Sequence, residues 1–297
     1  MERADNRLVR RKAVTLLAPA GSQGAALAAL QNGADAVYMG VRGWSRWVRA
    51  DAGEDVIRHS LRHTLEYSKG LWLAFNSVPA SQDLYRMLDC LGRFVELGAK
   101  GVILNDPGII HLVRGRWPDL PITASVGCGL FNTQDLAFYR EEGATAAVLP
   151  CGIPWEEVQA LGPEREELEL EVFIHGWQEP FYLGKCWLGS YIRQQPGAGR
   201  IDREERCVAV GSARRSGRCS RACRQPWTVG GEPVKLPWRL VSLGSDLGRY
   251  LQAGVTRFKI QGRDLPPEEV GQLVRHYRCL LDQQLAETIM PGNGVQP

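Results

Sequence analysis

Apolar residues along this chain cluster in eight short runs, separated by longer segments rich in Ala, Leu and Glu. Each run is nearly continuous rather than alternating, which is typical of parallel strands buried on both faces. The segments between them have helical spacing, so the pattern predicts repeated βα units. The predicted strands are Val14–Leu17, Ala36–Met39, Leu71–Phe75, Gly101–Leu104, Pro121–Ala124, Ala146–Leu149, Leu170–Ile174 and Arg257–Ile260.

Helix start and stop signals lie between the predicted strands. Ser22 precedes the Ala-rich stretch after the first strand, and Gly33 stands where that helix should end. Apolar residues recur at helical spacing over Asp83–Leu97. Asp106 followed by Pro107 has the order of an N-cap and a first helical residue. The alternation predicts an α/β fold of the (β/α)8 TIM-barrel-like kind, in preference to an open doubly wound sheet.

The alternation is interrupted once, after the seventh predicted strand. Residues 176–235 show no clean period and contain four cysteines and several arginines, so we predict a Cys-rich insertion within a single barrel domain of residues 13–290. Because the insertion follows the carboxyl end of a strand, it would lie over the barrel mouth, where TIM-barrel active sites are built. Residues 1–12 are predicted to be a basic N-terminal arm, and residues 291–297 a C-terminal tail.

Charge and composition exclude several classes of protein. The 297 residues carry a formal net charge of +3, too small for a protein that binds nucleic acid through its overall field, although RNA binding stays open. The first apolar run is too short for a secretory signal, and no stretch approaches the roughly 20 apolar residues of a membrane helix. We therefore expect a cytoplasmic protein without membrane insertion, whose eight cysteines stay reduced.

Four of these cysteines, Cys186, Cys207, Cys219 and Cys223, lie close together in the insertion. Neighbouring basic residues would lower their thiol pKa values and offset the negative charge of a thiolate-bound cluster. Only Cys219 and Cys223 form a close pair, as C-x3-C, which differs from the paired knuckles of zinc sites. Spacing alone favours an iron-sulfur cluster and leaves structural zinc or unligated redox thiols as alternatives.

The other four cysteines follow strands or lie in helical patterns. Cys128 and Cys151 come just after the fifth and sixth predicted strands, where they could be reserve ligands or substrate-side thiols. Packing as small apolar residues is the competing interpretation. Cys90 and Cys279 lie within helical patterns and are predicted to pack.

Polar residues that follow the predicted strands are candidates for catalysis, because the strand ends meet at the mouth. His175 follows the seventh strand, Asp106 the fourth and Arg263 the eighth. A lone histidine there is structural as often as catalytic, and the other two could each be a cap or a turn. The chain has no HExxH or GxSxG motif, so zinc-protease and serine-hydrolase chemistry is not indicated.

Several segments, taken in order, resemble peptidase family U32, the collagenase-like proteins. They are LLAPAGSQGAALAALQNGADAVYMG, GVILNDPGII, VFIHG with YLGKC, GRCSRACRQPW, and AGVTRFKIQGR with YRCLLD. The resemblance implies a barrel fold. It also implies an oxygen-independent hydroxylase with a [4Fe-4S] cluster on four cysteines, as in several members of the family. Their substrates are RNA nucleobases or the small aromatic ring of a ubiquinone precursor, with prephenate implicated as the hydroxyl source.

The resemblance also implies ligands in this sequence. Cys186, in YLGKC, corresponds to a cluster cysteine, and Cys219 and Cys223 correspond to the family's C-x3-C piece. The family's usual first cysteine is replaced by Glu179, which leaves the fourth ligand open. Cys207 is our choice for it.

Other residues compete for the fourth position. Cys128 or Cys151 comes next after the insertion cysteines, and the Glu179 carboxylate comes last. Gln261 stands where the family has a glutamate, so an acid role at that position is lost.

Size carries a further implication. The chain is similar in length to the ubiquinone-pathway members, which work as heterodimers, so the resemblance implies a hetero-oligomer with a paralogous family member. Two competing hypotheses are a collagenase-type peptidase and a noncatalytic, cluster-binding partner subunit.

Overall fold

The computed structural model describes residues 13–46, 50–161, 168–178, 227–236 and 239–289. The strands in these ranges are β1 (Thr15–Pro19), β2 (Ala36–Val41), β3 (Asp51–Ala52), β4 (Gly70–Phe75), β5 (Gly101–Leu104), β6 (Ile122–Ala124), β7 (Ala146–Val148), β8 (Glu169–Gln178), β9 (Trp227–Val229), β10 (Glu232–Val234), β11 (Arg239–Ser242) and β12 (Arg257–Ile260). The helices are α1 (Gln23–Gln31), α2 (Glu54–Glu66), α3 (Leu84–Glu96), α4 (Pro107–Arg116), α5 (Thr133–Glu141), α6 (Trp155–Ala160), α7 (Leu247–Gln252) and α8 (Pro267–Ile289).

Eight of the strands form a closed parallel barrel. β2, β4, β5, β6, β7, β8 and β12 are hydrogen-bonded neighbours in that order. β1 closes the ring, because Leu17 lies opposite Ala36 on β2 and opposite Lys259 on β12. Every predicted run overlaps one of these strands, so the (β/α)8 TIM-barrel-like prediction is confirmed over the open sheet.

Helix ends follow the predicted capping chemistry. The Ser22 hydroxyl accepts a hydrogen bond from a backbone N–H in the first turn of α1 at 3.1 Å, and Gly33, just past the end of α1, has a φ of 97°. α3 and α4 also begin within a residue of their predicted starts. α8 packs against α1 and β1, so it covers the seam where the barrel closes. No helix in the described ranges is long and apolar enough to cross a membrane.

The region after the seventh predicted strand contains more regular structure than expected. β8 continues to Gln178, so His175 lies within the strand rather than after it. β8 pairs there with antiparallel β11, with Ser242 opposite His175. β9 and β10 form an antiparallel hairpin inside the predicted insertion. These added strands have three or four residues each, too few for an alternation to stand out in the sequence.

Some of the predicted features lie outside the described residues. They are the basic arm of residues 1–12, the tail of residues 291–297, and the middle of the Cys-rich insertion from residue 179 to residue 226. The last of these segments includes Glu179, Cys186, Cys207, Cys219 and Cys223.

The barrel interior is partly charged. Its apolar part is a separate cluster of six buried residues, Leu17, Ala36, Tyr38, Trp72, Ala74 and Ile103. Three charged residues on β8 and β12 are also buried there, namely Glu171, Arg257 and Lys259. Their sequence neighbours Leu170, Val172 and Phe258 belong to the apolar core outside the barrel. β8 and β12 therefore alternate charged and apolar residues, although both are parallel strands buried on both faces, as predicted.

These three charged residues, here called the barrel ion group, are tightly paired. Glu171 Oε2 accepts from Arg257 Nε at 2.9 Å, and Oε1 accepts from Lys259 Nζ at 2.7 Å. The guanidinium of Arg257 lies 4.9 Å from the Trp72 ring centroid, and the ammonium of Lys259 lies 4.5 Å from that of Tyr38. Burial raises the pKa of Glu171, but the charges of Lys259 and Arg257 outweigh it, so the pKa is lowered. The carboxylate is therefore ionised at neutral pH.

Substitution of Glu171 tests how far the barrel depends on this group. Glu171→Gln removes the counter-charge of buried Lys259 and leaves Arg257 only the partly exposed Glu169 carboxylate, so we expect it to lower the free energy of unfolding by about 3–5 kcal/mol in urea titrations at neutral pH. Because the pKa of Glu171 is lower in the folded chain, its stabilisation is present above its ordinary value of 4.5 and is lost as the pH falls below it. The variant should show a weaker loss of stability over that acid range.

Glu169→Gln is the matched control. The Glu169 carboxylate lies 3.4 Å from the same guanidinium but is 32% exposed, so its loss should cost less than about 1 kcal/mol. Equal destabilisation by the two substitutions would contradict the special role of Glu171.

Candidate active site at the barrel mouth

Polar residues gather at the mouth, where the carboxyl ends of the parallel strands meet. Asn105 and Ser125 directly follow β5 and β6, and Arg263 follows β12. Ser45 lies between β2 and β3, and Asp51 begins β3. Ser45, Asn105, Ser125 and Arg263 are all buried. We call these five residues the mouth site.

Arg263 is the cation of the mouth site. Its Nη1 donates to Ser45 Oγ at 3.0 Å, and its guanidinium lies 5.8 Å from the Tyr38 ring centroid. The pKa of Arg263 is lowered, mainly because burial disfavours its charge, while Tyr38 and Asp51 oppose the shift. Since arginine keeps its proton in proteins, the mouth holds a fixed positive charge.

Two glycines allow Arg263 to approach β1 and β2. A Cβ on Gly40 would lie 2.6 Å from Ser45 Oγ and 2.7 Å from Asp51 Oδ1, and it would overlap Arg263 Nη1. A Cβ on Gly21 would overlap the carbonyl oxygen of Arg263. Folded chains do not tolerate contacts this short, so the position of Arg263 requires glycine at both sites.

Asp106, a predicted catalytic residue, has a capping role. Its Oδ1 accepts a hydrogen bond from Ile109 N at 3.0 Å, with Pro107 at the first helical position of α4. This arrangement satisfies an otherwise unpaired donor at the helix start and complements the helix dipole. The geometry accounts for this carboxylate as a cap, and its catalytic role stays a prediction.

His175, the second predicted catalytic residue, contacts the outer helix α8. Its Nδ1 lies 3.0 Å from the hydroxyl of Tyr277, which lies 2.8 Å from Ser242 Oγ. Tyr277 is fully buried on α8. The pKa of His175 is lowered, first by burial and then by the charge of His276, so the ring is neutral at pH 7. These contacts hold the end of β8 against α8, and the catalytic role of His175 stays a prediction.

The reserve ligands Cys128 and Cys151 pack against the apolar core. Cys128 Sγ donates to Leu104 O at 3.7 Å, and burial raises the pKa of this thiol to about 12, although a hydrogen bond with Tyr139 opposes the shift. Metals bind the thiolate, so a metal at Cys128 would have to displace this proton, and the ligand roles of Cys128 and Cys151 stay predictions. In the described ranges, no three His, Cys, Asp or Glu side chains come together as a metal site.

The helical cysteines differ from one another. Cys90 packs against the core, as predicted. Cys279 is exposed, so the packing prediction is wrong for it. α8 buries one face through Tyr277 and Leu281, and Cys279 lies between these positions on the other face.

Sequence analysis missed two features of the barrel. The first is Asn105, which faces the barrel interior like Ile103 two residues earlier on β5. The charged neighbour Asp106, which the sequence suggested as the functional residue, caps α4 instead. The second is the barrel ion group, whose sequence signal is the alternation of charged and apolar residues in ELE of β8 and RFK of β12.

Gln261 accepts a hydrogen bond from Trp177 N at 2.7 Å, so it joins the ends of β12 and β8.

The mouth site can bind and orient a polar substrate. It offers one guanidinium, two hydroxyls, an amide and a carboxylate beside a tyrosine ring. An electron-transfer step at this site would depend on a cofactor.

Comparison with known proteins identifies the family. A sequence model described as Peptidase family U32 matches residues 21–292. The chain belongs to this family. Among solved structures, "The Structure of the U32 Peptidase Mk0906" aligns with a TM-score of 0.53 over 85% of this chain and 93% of that chain, at 15% identity. This likeness supports the fold.

Several similar proteins of this family are named for RNA hydroxylation. The chain is 29% identical to tRNA hydroxylation protein P of Escherichia coli over 72% of its length, and 27% identical to the E. coli 23S rRNA 5-hydroxycytidine C2501 synthase over 92%. It spans only 44% and 40% of those proteins. Another relative, named Collagenase, from Porphyromonas gingivalis, is 24% identical over 89% of this chain.

Substitutions of Asp106 test its capping role. Asp106→Ala should lower the free energy of unfolding by about 1 kcal/mol, because one donor at the start of α4 loses its acceptor. Asp106→Asn should stay close to the unsubstituted chain, since asparagine caps equally well. Urea titrations with unchanged m values measure both effects, and full stability of the alanine variant would contradict the capping role.

Proposed function

We propose that this U32 protein is an iron-sulfur-dependent, oxygen-independent hydroxylase, or a subunit of one, that acts on an aromatic ring. The carrying observation is that RNA hydroxylation proteins match it over most of its length, including 92% for the rRNA 5-hydroxycytidine synthase. This observation favours an RNA nucleobase over the ring of a quinone precursor. The polar mouth of the barrel is a suitable place to hold such a ring.

The proposed cofactor is a [4Fe-4S] cluster on Cys186, Cys207, Cys219 and Cys223, with zinc as the alternative metal. The support is the density of thiols among basic residues, together with the family resemblance of three of them. Their segment begins directly after β8, whose carboxyl end lies on the mouth side of the barrel. When bound, the cluster would supply one-electron chemistry, and prephenate is the proposed hydroxyl source.

The residues of the chain would position the substrate. The Arg263 guanidinium is fixed by Ser45 and provides a positive charge for an anionic part of a substrate or co-substrate. The two cations of the barrel ion group below it already face two carboxylates, because Glu171 lies within 2.9 Å of both Lys259 and Arg257 and Glu169 lies 3.4 Å from Arg257. Arg263 is therefore the cation that we propose for substrate contact at the described mouth.

Hydroxylation of RNA in cells is the direct test. The full chain would be expressed without oxygen in a bacterium that lacks its own tRNA and rRNA hydroxylation genes, and digested RNA would be analysed by mass spectrometry. We expect a nucleoside heavier by one oxygen atom. Gly40→Ala should abolish it, because the new methyl group would displace Arg263, Ser45 and Asp51.

Gly115→Ala is the matched control. Gly115 lies in α4 with no atom within 4 Å of a Cβ, so this substitution should leave the product unchanged. A product that appears only when a paralogous family member is co-expressed would show that this chain is one subunit of a hetero-oligomer. No product from RNA, or from a quinone-precursor pool with the paralogue present, would contradict the proposal.

A peptidase is the second candidate, because relatives named Collagenase and Uncharacterized protease MJ0090 are 24% and 26% identical to the chain. The described ranges give it little chemical support. His175 is bonded to a tyrosine, and no group of metal ligands is found in those ranges. Cleavage of collagen or casein by the chain with all four insertion cysteines replaced would favour this function.

A further inference from the structure

Asn105 is a buried amide at the mouth. It directly follows β5 and is only 8% exposed. Ile103, two residues earlier, belongs to the interior cluster of the barrel. Because side chains alternate along a strand, Asn105 shares the inward face with Ile103, one layer closer to the mouth.

The side-chain oxygen of Asn105 lacks a donor. Oδ1 is buried, and no hydrogen bond reaches it from the part of the chain that the structure describes. On neighbouring β6, Thr123 Oγ1 is also buried without a hydrogen bond from the described residues. Thr123 pairs in register with Ile103, so it faces the barrel interior too. Buried polar atoms in folded proteins are nearly always paired, so two such atoms on adjacent inward positions indicate a partner that is not among the described residues.

The surrounding backbone is shaped around this amide. A Cβ on Gly127, in the turn after β6, would lie 2.7 Å from Cγ and 2.8 Å from Nδ2 of Asn105, and it would overlap Oδ1. Because Gly127 has no Cβ, the amide packs directly against its backbone, with Oδ1 the nearest of the amide atoms. An amide confined in this way is suited to reading one ligand geometry.

The polar neighbours of Asn105 already have partners. Asp106 Oδ1 accepts from Ile109 N, and Cys128 Sγ donates to Leu104 O. At the end of β4, Asn76 Oδ1 accepts from Arg46 N at 2.9 Å. Among these strand-end residues, Asn105 is the one whose acceptor is left for a ligand.

We propose that Asn105 selects the substrate ring by accepting a hydrogen bond from a ring-borne N–H through Oδ1. This inference rests on the proposed function, since it concerns the ring bound at that same mouth. The amide also carries a donor beside its acceptor, the combination with which asparagine recognises the donor and acceptor edge of a nucleobase. Asn105 thus favours a ring with an N–H next to an acceptor over a ring that lacks one.

Ring binding to the full chain tests this selection. The probes are 1-methyluracil, which keeps its ring N–H between two carbonyl acceptors, and 1,3-dimethyluracil, in which a methyl group replaces that hydrogen. Binding would be measured by saturation-transfer NMR titration. We expect 1-methyluracil to bind at least about tenfold more tightly, and Asn105→Leu to remove this preference.

Two further variants separate hydrogen bonding from shape. Asn105→Asp keeps an acceptor oxygen and should keep the preference. Asn76→Leu, the same change at the end of β4, should also keep it, because the Asn76 oxygen already bonds a backbone N–H.

The inference would be overturned by equal binding of both rings to the unsubstituted chain, by binding of neither, or by a preference that persists in Asn105→Leu. The first two outcomes need no variant to fold. Each of the three is compatible with RNA hydroxylation in cells, so failure here is distinguishable from failure of the proposed function.

Discussion

The Glu171 carboxylate, held between Arg257 and Lys259, joins β8 and β12, two neighbouring barrel strands that are far apart in the sequence. β8 and β12 are separated in sequence by residues 179–256, so bringing them together costs more chain entropy than pairing neighbouring strands. Glu171 lies opposite Arg257 in the ladder, and a slip by one residue would turn the charges into the apolar outer layer. The ion pairs therefore fix the register of this pairing as well as giving both buried cations a carboxylate partner.

The mouth depends on the same register. Arg263 follows β12 by three residues, and it reaches Ser45 because β12 lies beside β1 and because Gly21 and Gly40 leave room for its backbone and its guanidinium. The end of β8 is held from the other side by Gln261 and Tyr277. The register of β8 and β12, which the buried ion pairs fix, thus places the buried Arg263 guanidinium at the barrel mouth, where TIM barrels bind their ligands.

The sequence predicts the fold well, because strand runs and caps are local signals. All eight runs overlap barrel strands, and Ser22 and Asp106 cap the helices they precede.

The candidate site is less predictable from the sequence than the fold. Asp106 has the sequence of both a cap and a strand-end acid, and only geometry reveals the bond that it makes. His175 faces the outer helix and Asn105 faces the barrel interior, and this difference depends on the length and phase of their strands. In β8, the run around Glu171 is too short for its alternation of charged and apolar residues to stand out. The proposed cluster cysteines lie outside the described residues, so that part of the site stays a prediction from spacing and resemblance.

The cluster is the central claim about function, and the metal content of the full chain tests it most directly. Iron and acid-labile sulfide would be measured, with the visible spectrum, on protein purified without oxygen. The proposed hydroxylase should contain about four of each per chain. Zinc alone, or no metal, would contradict the claim.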